Sequence, residues 1–245
     1  LGRTLTTELW LVGRDGRGLR CLTDNPGPDD HPRWLADGTI ACQSHPDSLH
    51  AHRPAQIVVR DAATGASVAR HGESFGDVVR GIWQHDGAFY LRGARRGSAG
   101  LFRVGPDGTE RLGEPGWNLR DVRLGGGRAV VRGESLTNPG RLLAIDLATG
   151  TQTVLVDPNQ RWLDRVDPVE PRRFAITVAG RSVEGWVFLP GDRHPDQPLP
   201  TVLCIHGGPE WMFGGAFLPE FHVLPSFGWA VLAANPTGSA GYGRE

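Results

Sequence analysis

Residues 201–215 read TVLCIHGGPEWMFGG: an apolar run followed at once by two glycines and a proline. The run 201–205 is apolar on both faces, as a strand buried in a parallel sheet requires. Gly207, Gly208 and Pro209 then stop it. Downstream, Phe217, Phe221, Leu224 and Phe227 recur at helical spacing. Pro225 should kink or shorten the last turn of that helix, and Gly228 stands where a C-cap glycine would end it. WAVLAA, 229–234, reads as a second buried strand. Strand, helix, strand at this length is one βαβ crossover. Just upstream, FAITVAG and SVEGWVFLPG form a strand pair turning near Gly180 and Arg181, and DRHPDQPLP is a polar, proline-rich loop. Residues 174–245 are therefore read as the start of an α/β domain.

Further upstream the pattern changes. ELWLVGRDGRGLRCLTD (from Glu8), AQIVVRDAATGASVARHG (from Ala55), GLFRVGPDGTERLGEPG (from Gly100) and RLLAIDLATGTQTVLVD (from Arg141) resemble one another. Each is a strand, a turn containing Gly with Asp or Thr, and a second strand, which is a hairpin signature. They recur every ~40–47 residues, the period of propeller blades. Between them lie further hairpins, HPRWLADGTIACQSH, GIWQHDGAFYLRG and VRLGGGRAVVRGE. Each unit thus offers about four strands, as a blade needs. Residues 1–160 are read as about four blades from the C-terminal part of a β-propeller. In DPNQRWLDRVDPVEPRR the period breaks while charge and proline rise, so 161–173 are read as a linker. An open arc of blades would expose strand edges, so earlier blades are expected to precede Leu1.

The composition is that of an ordinary globular protein, 39% hydrophobic and 22% charged, with a formal net charge of −1. There is no global basic field for nucleic acid or an anionic membrane. No apolar run reaches the ~18 residues of a membrane span. Three cysteines, Cys21, Cys42 and Cys204, are too few and too odd a set for a disulfide framework. They argue for a reducing compartment, here read as the cytoplasm. Cys204 is expected to be a small buried apolar residue.

The glycine turn at 206–208 follows the C-terminal end of a strand, where open α/β sheets bind ligands. A glycine there lets a backbone N–H approach a substrate oxygen. In α/β-hydrolases one oxyanion donor comes from the loop after the third strand, the place His206, Gly207 and Gly208 occupy. A plain tight turn is the competing reading.

The wider stretch from His206 to Glu245 resembles the start of the catalytic domain of the prolyl oligopeptidase family of serine peptidases, and most of all its acylaminoacyl-peptidase branch. The matching pieces are His206 to Pro209, Gly228-Trp229, Asn235-Pro236, Gly238-Ser239 and Gly241 to Gly243. That family places a propeller ahead of this domain. The resemblance implies a β-propeller, partial here, followed by the N-terminal part of an α/β-hydrolase domain. It implies a serine peptidase acting on short peptides through an acyl-enzyme. The oxyanion side would be His206, Gly207 and Gly208, and the pocket wall would include Pro209, Trp211, Asn235 and Thr237. No metal or organic cofactor is implied, nor a nucleic-acid or membrane partner, and a homo-oligomer is one assembly it allows.

Two departures stand out. The family's Arg after Asn-Pro is Thr237 here, which removes a charge that could pair with a carboxylate near the site. Ser98 and Ser239 both lack the glycine two residues before the serine that a nucleophile elbow has. The elbow serine and its Asp and His partners are expected after Glu245, so the segment alone is expected to be inactive and to need the remainder of the hydrolase domain. The alternatives are a propeller binding scaffold with a degenerate hydrolase remnant and an esterase or lipase on the same fold. Elsewhere the bland reading is preferred. His45, His50 and His52 fit no common zinc spacing and read as a solvated loop. Arg92, Arg95 and Arg96 read as a solvated turn rather than a channel lining. Phe213 with Trp211 fits a pocket wall and core packing equally. RDGRGLR lacks the ending of a phosphate loop.

Overall fold

A computed structural model describes residues 6–45, 56–72, 75, 78–105, 108–192, 198–208 and 211–242. Its first two strands, β1 (Trp10–Leu11) and β2 (Arg20–Cys21), pair as one hairpin. Three four-stranded antiparallel sheets follow. The first holds β3 (Asp29–Trp34), β4 (Ile40–Ser44), β5 (Gln56–Arg60) and β6 (Ser67–His71) in that order. The second holds β7 (Val78–His85), β8 (Ala88–Arg95), β9 (Ser98–Gly105) and β10 (Gly108–Leu112). The third holds β11 (Asn118–Gly125), β12 (Arg128–Glu134), β13 (Arg141–Asp146) and β14 (Gln152–Val156). Each is a four-stranded meander, the unit of a propeller blade. The described blades are three complete sheets and one hairpin.

The turns explain the meanders. Type I′ hairpins need positive φ at both central residues and match the strand twist. Asp86-Gly87, Arg96-Gly97, Gly126-Gly127 and Ala179-Gly180 all show it, at 48° and 77°, 46° and 72°, 56° and 70°, and 50° and 77°. A longer turn recurs in two blades as Asp-x-Ala-Thr-Gly. Asp61 Oδ1 accepts from the N–H groups of Ala63 and Thr64 and from the Thr64 hydroxyl. Asp146 Oδ1 does the same with Ala148 and Thr149. In both, the glycine N–H closes on the aspartate carbonyl at 2.9 Å, Gly65 to Asp61 and Gly150 to Asp146. This is an Asx-type turn, in which a carboxylate satisfies backbone donors the strands leave free. The hydrogen bonds hold both carboxyls below their ordinary pKa.

After β14 a short helix, α1 (Gln160–Leu163), opens the irregular stretch before the last sheet. That sheet is mixed, in the order β15 (Arg172–Val178), β16 (Arg181–Phe188), β18 (Ala230–Asn235), β17 (Thr201–Cys204). β15 pairs antiparallel to β16, and β16 antiparallel to β18, while β17 and β18 are parallel neighbours joined through α2 (Glu220–Ser226). The βαβ crossover therefore lies where the apolar pattern put it.

Two expectations need correction. The helix starts at Glu220 with Pro219 as its N-cap, because a proline disfavours helical backbone at the residue before it; Phe217 precedes it and Phe227 is its C-cap. Gly228 closes the end at φ 84°, its N–H on the Pro225 carbonyl. The run 201–205 is also not buried on both faces. Leu203 and Ile205 are exposed, because no described element covers their face, while Cys204, on the opposite face, is half-buried against the core.

The chain divides into two compact units, Leu1–Ala94 with Leu101–Leu112, and Arg95–Gly100 with Gly113–Gly243. In the first, Ile57, Phe75, Ile82, Leu91 and Phe102 form the main core. In the second, Trp186, Phe188, Phe213, Phe221, Val231 and Ala233 pack between the sheet and α2. Among the described residues no helix is long and apolar enough to cross a membrane.

Candidate active site

β17 delivers the chain to His206 at the C-terminal edge of the sheet, and β18, its parallel neighbour, delivers Asn235 beside it. The loops leaving these two strands are tied together. Asn235 is buried at 3% exposure. Its Oδ1 accepts from the Phe213 N–H at 2.8 Å and its Nδ2 donates to the Phe213 carbonyl at 2.9 Å. The same Nδ2 donates to the Tyr242 hydroxyl at 2.8 Å, and that hydroxyl donates to Glu184 Oε2 at 2.9 Å. Arg173 donates to the other Glu184 oxygen at 2.7 Å. Glu184 and Asn235 are register partners on β16 and β18, so a relay of side chains runs from the sheet edge to the loop after β17. Burial, above all, pushes the Tyr242 phenol up to about 12.

His206 closes a second tie. Its Nε2 stands 2.9 Å from Ser239 Oγ, and its Nδ1 stands 2.8 Å from the Gly207 carbonyl oxygen. Ser239 is buried and lies 2.7 Å from the Pro236 carbonyl, to which its hydroxyl donates. The serine thus fastens the β18 loop to the imidazole. The Ala240 N–H donates to the Trp211 carbonyl at 3.2 Å, alongside. The rings of Trp211 and Phe213 pack edge-on to His206, with centroids 6.3 and 5.4 Å away.

Gly207 is exposed and not among the positive-φ residues, and a Cβ there would meet nothing within 4 Å. Neither conformation nor described packing demands glycine at this position. Gly208 is likewise exposed. Phe213 belongs to the core, whereas Trp211 and Thr237 are exposed. Asn235 works behind the surface, with its amide fully engaged. Pro209 lies outside the described residues.

The other candidates are dispersed. His45 is buried, its carbonyl accepting from Asn25, while His50 and His52 lie outside the described residues. Among the described residues no group of three His, Cys, Asp or Glu could hold a metal. Arg96 is exposed and Arg92 and Arg95 are half-buried. One literal Gly-x-Ser-x-Gly does occur, GESFG at 72–76. Its context is wrong for a nucleophile elbow, which needs a strand-to-helix turn. It joins β6 to β7 within the blades, and Phe75 is buried in their core. Ser74 itself lies outside the described residues.

No protein-family model matches the chain. Against curated proteins it is 28% identical over 221 residues to the uncharacterized peptidase YuxL of Bacillus subtilis, covering 86% of this chain and 31% of that protein. It is 26% identical to dipeptidyl-peptidase 5 of Schizosaccharomyces pombe, covering 98% of the chain and 36% of that protein. The acylaminoacyl peptidase of Pyrococcus horikoshii superposes with a TM-score of 0.80 at 21% identity, over 96% of the chain and 36% of that structure. These curated relatives are named peptidases, and the solved structures of similar fold include acylaminoacyl peptidase and other members of the prolyl oligopeptidase family. The fold the chain shares with that family is a partial β-propeller followed by the first part of an α/β-hydrolase domain. It spans about a third of the length of the curated relatives it matches.

Proposed function

We propose that the complete protein is a serine peptidase that hydrolyses short peptides through an acyl-enzyme. In this reading 1–160 contribute propeller blades, 161–173 the linker and 174–245 the start of the catalytic domain. A serine oxygen supplied by the rest of the hydrolase domain attacks the scissile carbonyl, and the leaving amine takes a proton from the triad histidine. Water then cleaves the ester. The His206–Gly207–Gly208 turn donates a backbone N–H to the carbonyl oxygen as it becomes negative. Such a donor, preorganised by the ties to Ser239 and Asn235, is worth on the order of 2.7–4 kcal/mol in the transition state. Trp211 and Thr237 line the pocket, and Asn235 supports it from behind. The protein acts in the cytoplasm without a metal or organic cofactor.

The observation that carries this reading is Gly207, an exposed glycine at a strand's C-terminal edge that its own surroundings leave room to replace. Replacing Gly208 with Val in the complete protein is the test. The proposal predicts a fall in kcat of about a hundredfold or more with a smaller change in KM. Unchanged turnover would remove the turn from the oxyanion site. Peptide binding without any turnover in the unaltered protein would favour the scaffold instead.

A further inference from the structure

The stretch HGGPEWMFGG contains two glycine pairs, and the structure treats them oppositely. The first has open space around Gly207. The second has none. A Cβ on Gly214 would overlap the backbone of Gly97, meeting its carbonyl oxygen, carbonyl carbon and Cα. A Cβ on Gly97 would stand 3.1 Å from the Phe213 carbonyl oxygen and 3.2 Å from Gly214 Cα. A Cβ on Gly215 would come within 3.3 Å of Asn118 Cβ and of the Gly116 carbonyl oxygen. The Phe213–Gly214–Gly215 backbone is thus in direct contact with the tip of the β8–β9 hairpin and with the chain entering β11.

The contact is bonded as well as close. The Gly215 N–H donates to the Gly97 carbonyl at 2.7 Å. The Arg96 N–H donates to the Gly241 carbonyl at 2.7 Å. One type I′ turn therefore holds both loops of the candidate site, the one after β17 through Gly215 and the one after β18 through Gly241. Asn118, whose Oδ1 accepts from the Ala99 N–H at 3.3 Å and whose Nδ2 donates to Glu134 at 2.7 Å, fixes the neighbouring backbone. The two loops are cross-tied to each other by the Asn235 and Ser239 bonds described above. The hairpin tip closes that frame from the blade side.

We propose that Gly97 and Gly214 are positioning residues: the hairpin tip sets where the 206–208 turn lies, and so the reach of its N–H. This rests on the peptidase reading above. The action is through backbone, because Arg96 contributes its N–H at a φ of 46° and Gly214 contributes only the absence of a side chain. Displacement of a reacting group by about 1 Å can cost about a hundredfold in rate. The Gly214 side of the joint must shift to admit a methyl group.

The experiment compares the complete protein with Gly214→Ala and Arg96→Asn. Asn is at home in the left-handed turn conformation and keeps the N–H. Expected for Gly214→Ala is a kcat drop of at least about tenfold with KM changed by less than about threefold. The melting transition should stay cooperative, and the Gly215 amide should exchange hydrogen faster than in the unaltered protein. Expected for Arg96→Asn is kcat within about twofold of the parent, as for a surface change that breaks no contact. Unchanged kcat in Gly214→Ala overturns the positioning role, whatever the exchange shows. Loss of kcat in Arg96→Asn overturns the backbone assignment. If Gly214→Ala fails to fold, Gly97→Ala, which presses the same joint less severely, is read in its place against the same outcomes. A complete unaltered protein with no hydrolytic activity overturns the peptidase reading itself, a result distinct from either.

Discussion

The Asn235 amide grips the Phe213 peptide on both sides, N–H to Oδ1 at 2.8 Å and Nδ2 to carbonyl at 2.9 Å. A side chain at the end of one strand thereby does for the neighbouring loop what a ladder partner does for a strand. Removing it strands two polar groups of a buried residue. Each such group costs about 1–3 kcal/mol, so Asn235→Ala should lower the unfolding free energy by about 2–6 kcal/mol. Denaturant unfolding of the complete protein measures this; a loss below about 0.5 kcal/mol, the range of ordinary surface changes, would mean the loop is held otherwise.

Tyr242 is the next link, its hydroxyl between Asn235 and Glu184. Its phenol is pushed up to about 12, first by burial and then by the carboxylate it donates to. The folded state therefore keeps this proton where the unfolded chain loses it, above about pH 10. Stability should fall as pH rises from about 10 toward 12. Tyr242→Phe should remove that part of the alkaline loss. Ultraviolet titration of parent minus variant should show one phenol ionising near 12; ionisation near 10, the ordinary tyrosine value, would break the relay.

His222 joins three segments of the second unit. Its Nδ1 accepts from the Val169 N–H at 3.1 Å, its Nε2 donates to the Leu136 carbonyl at 3.0 Å, and its ring stacks on Phe217 at 4.6 Å. This pairing needs the neutral imidazole, and burial, the largest cause, lowers its pKa. A histidine kept neutral in the folded state stabilises fully above its unfolded pKa of about 6.5 and loses that contribution as pH falls. Unfolding measured from neutral to acid pH should show less acid loss in His222→Gln than in the parent. Identical slopes would mean that His222 does not titrate on unfolding.

Much of the fold was legible because turns are local. Asp-Gly, Thr-Gly and Gly-Gly turns declare their φ requirements in two residues, and the Asp-x-Ala-Thr-Gly repeat carries its own hydrogen-bond set. The parallel crossover was legible from two apolar runs around a helical pattern. What stayed hidden depends on distant partners. Nothing near Gly214 in sequence says that Gly97, more than a hundred residues earlier, presses on it. Asn235 reads as pocket wall in the sequence because its partner, the Phe213 backbone, has no sequence signature. Phe217 matched the helical spacing, yet Pro219 set a later start. Leu203 and Ile205 read as buried from their apolarity, but burial depends on what covers a face, which a strand's own residues do not encode.

Gly207→Ala separates site from scaffold. With no described atom within 4 Å of the new methyl group, stability should change by no more than about 0.5 kcal/mol. Turnover should nevertheless fall at least about tenfold if a substrate oxygen approaches that backbone. Equal activity of variant and parent would leave Gly207 as turn geometry alone.

The measurement that bears most directly on the peptidase reading is labelling of the complete protein with a serine-reactive phosphonate, read by intact mass and peptide mapping alongside peptide hydrolysis. The account predicts one label per chain, on a serine outside residues 1–245, with peptidase activity lost in step. No label and no hydrolysis, or a label on Ser74 or Ser239, would contradict it.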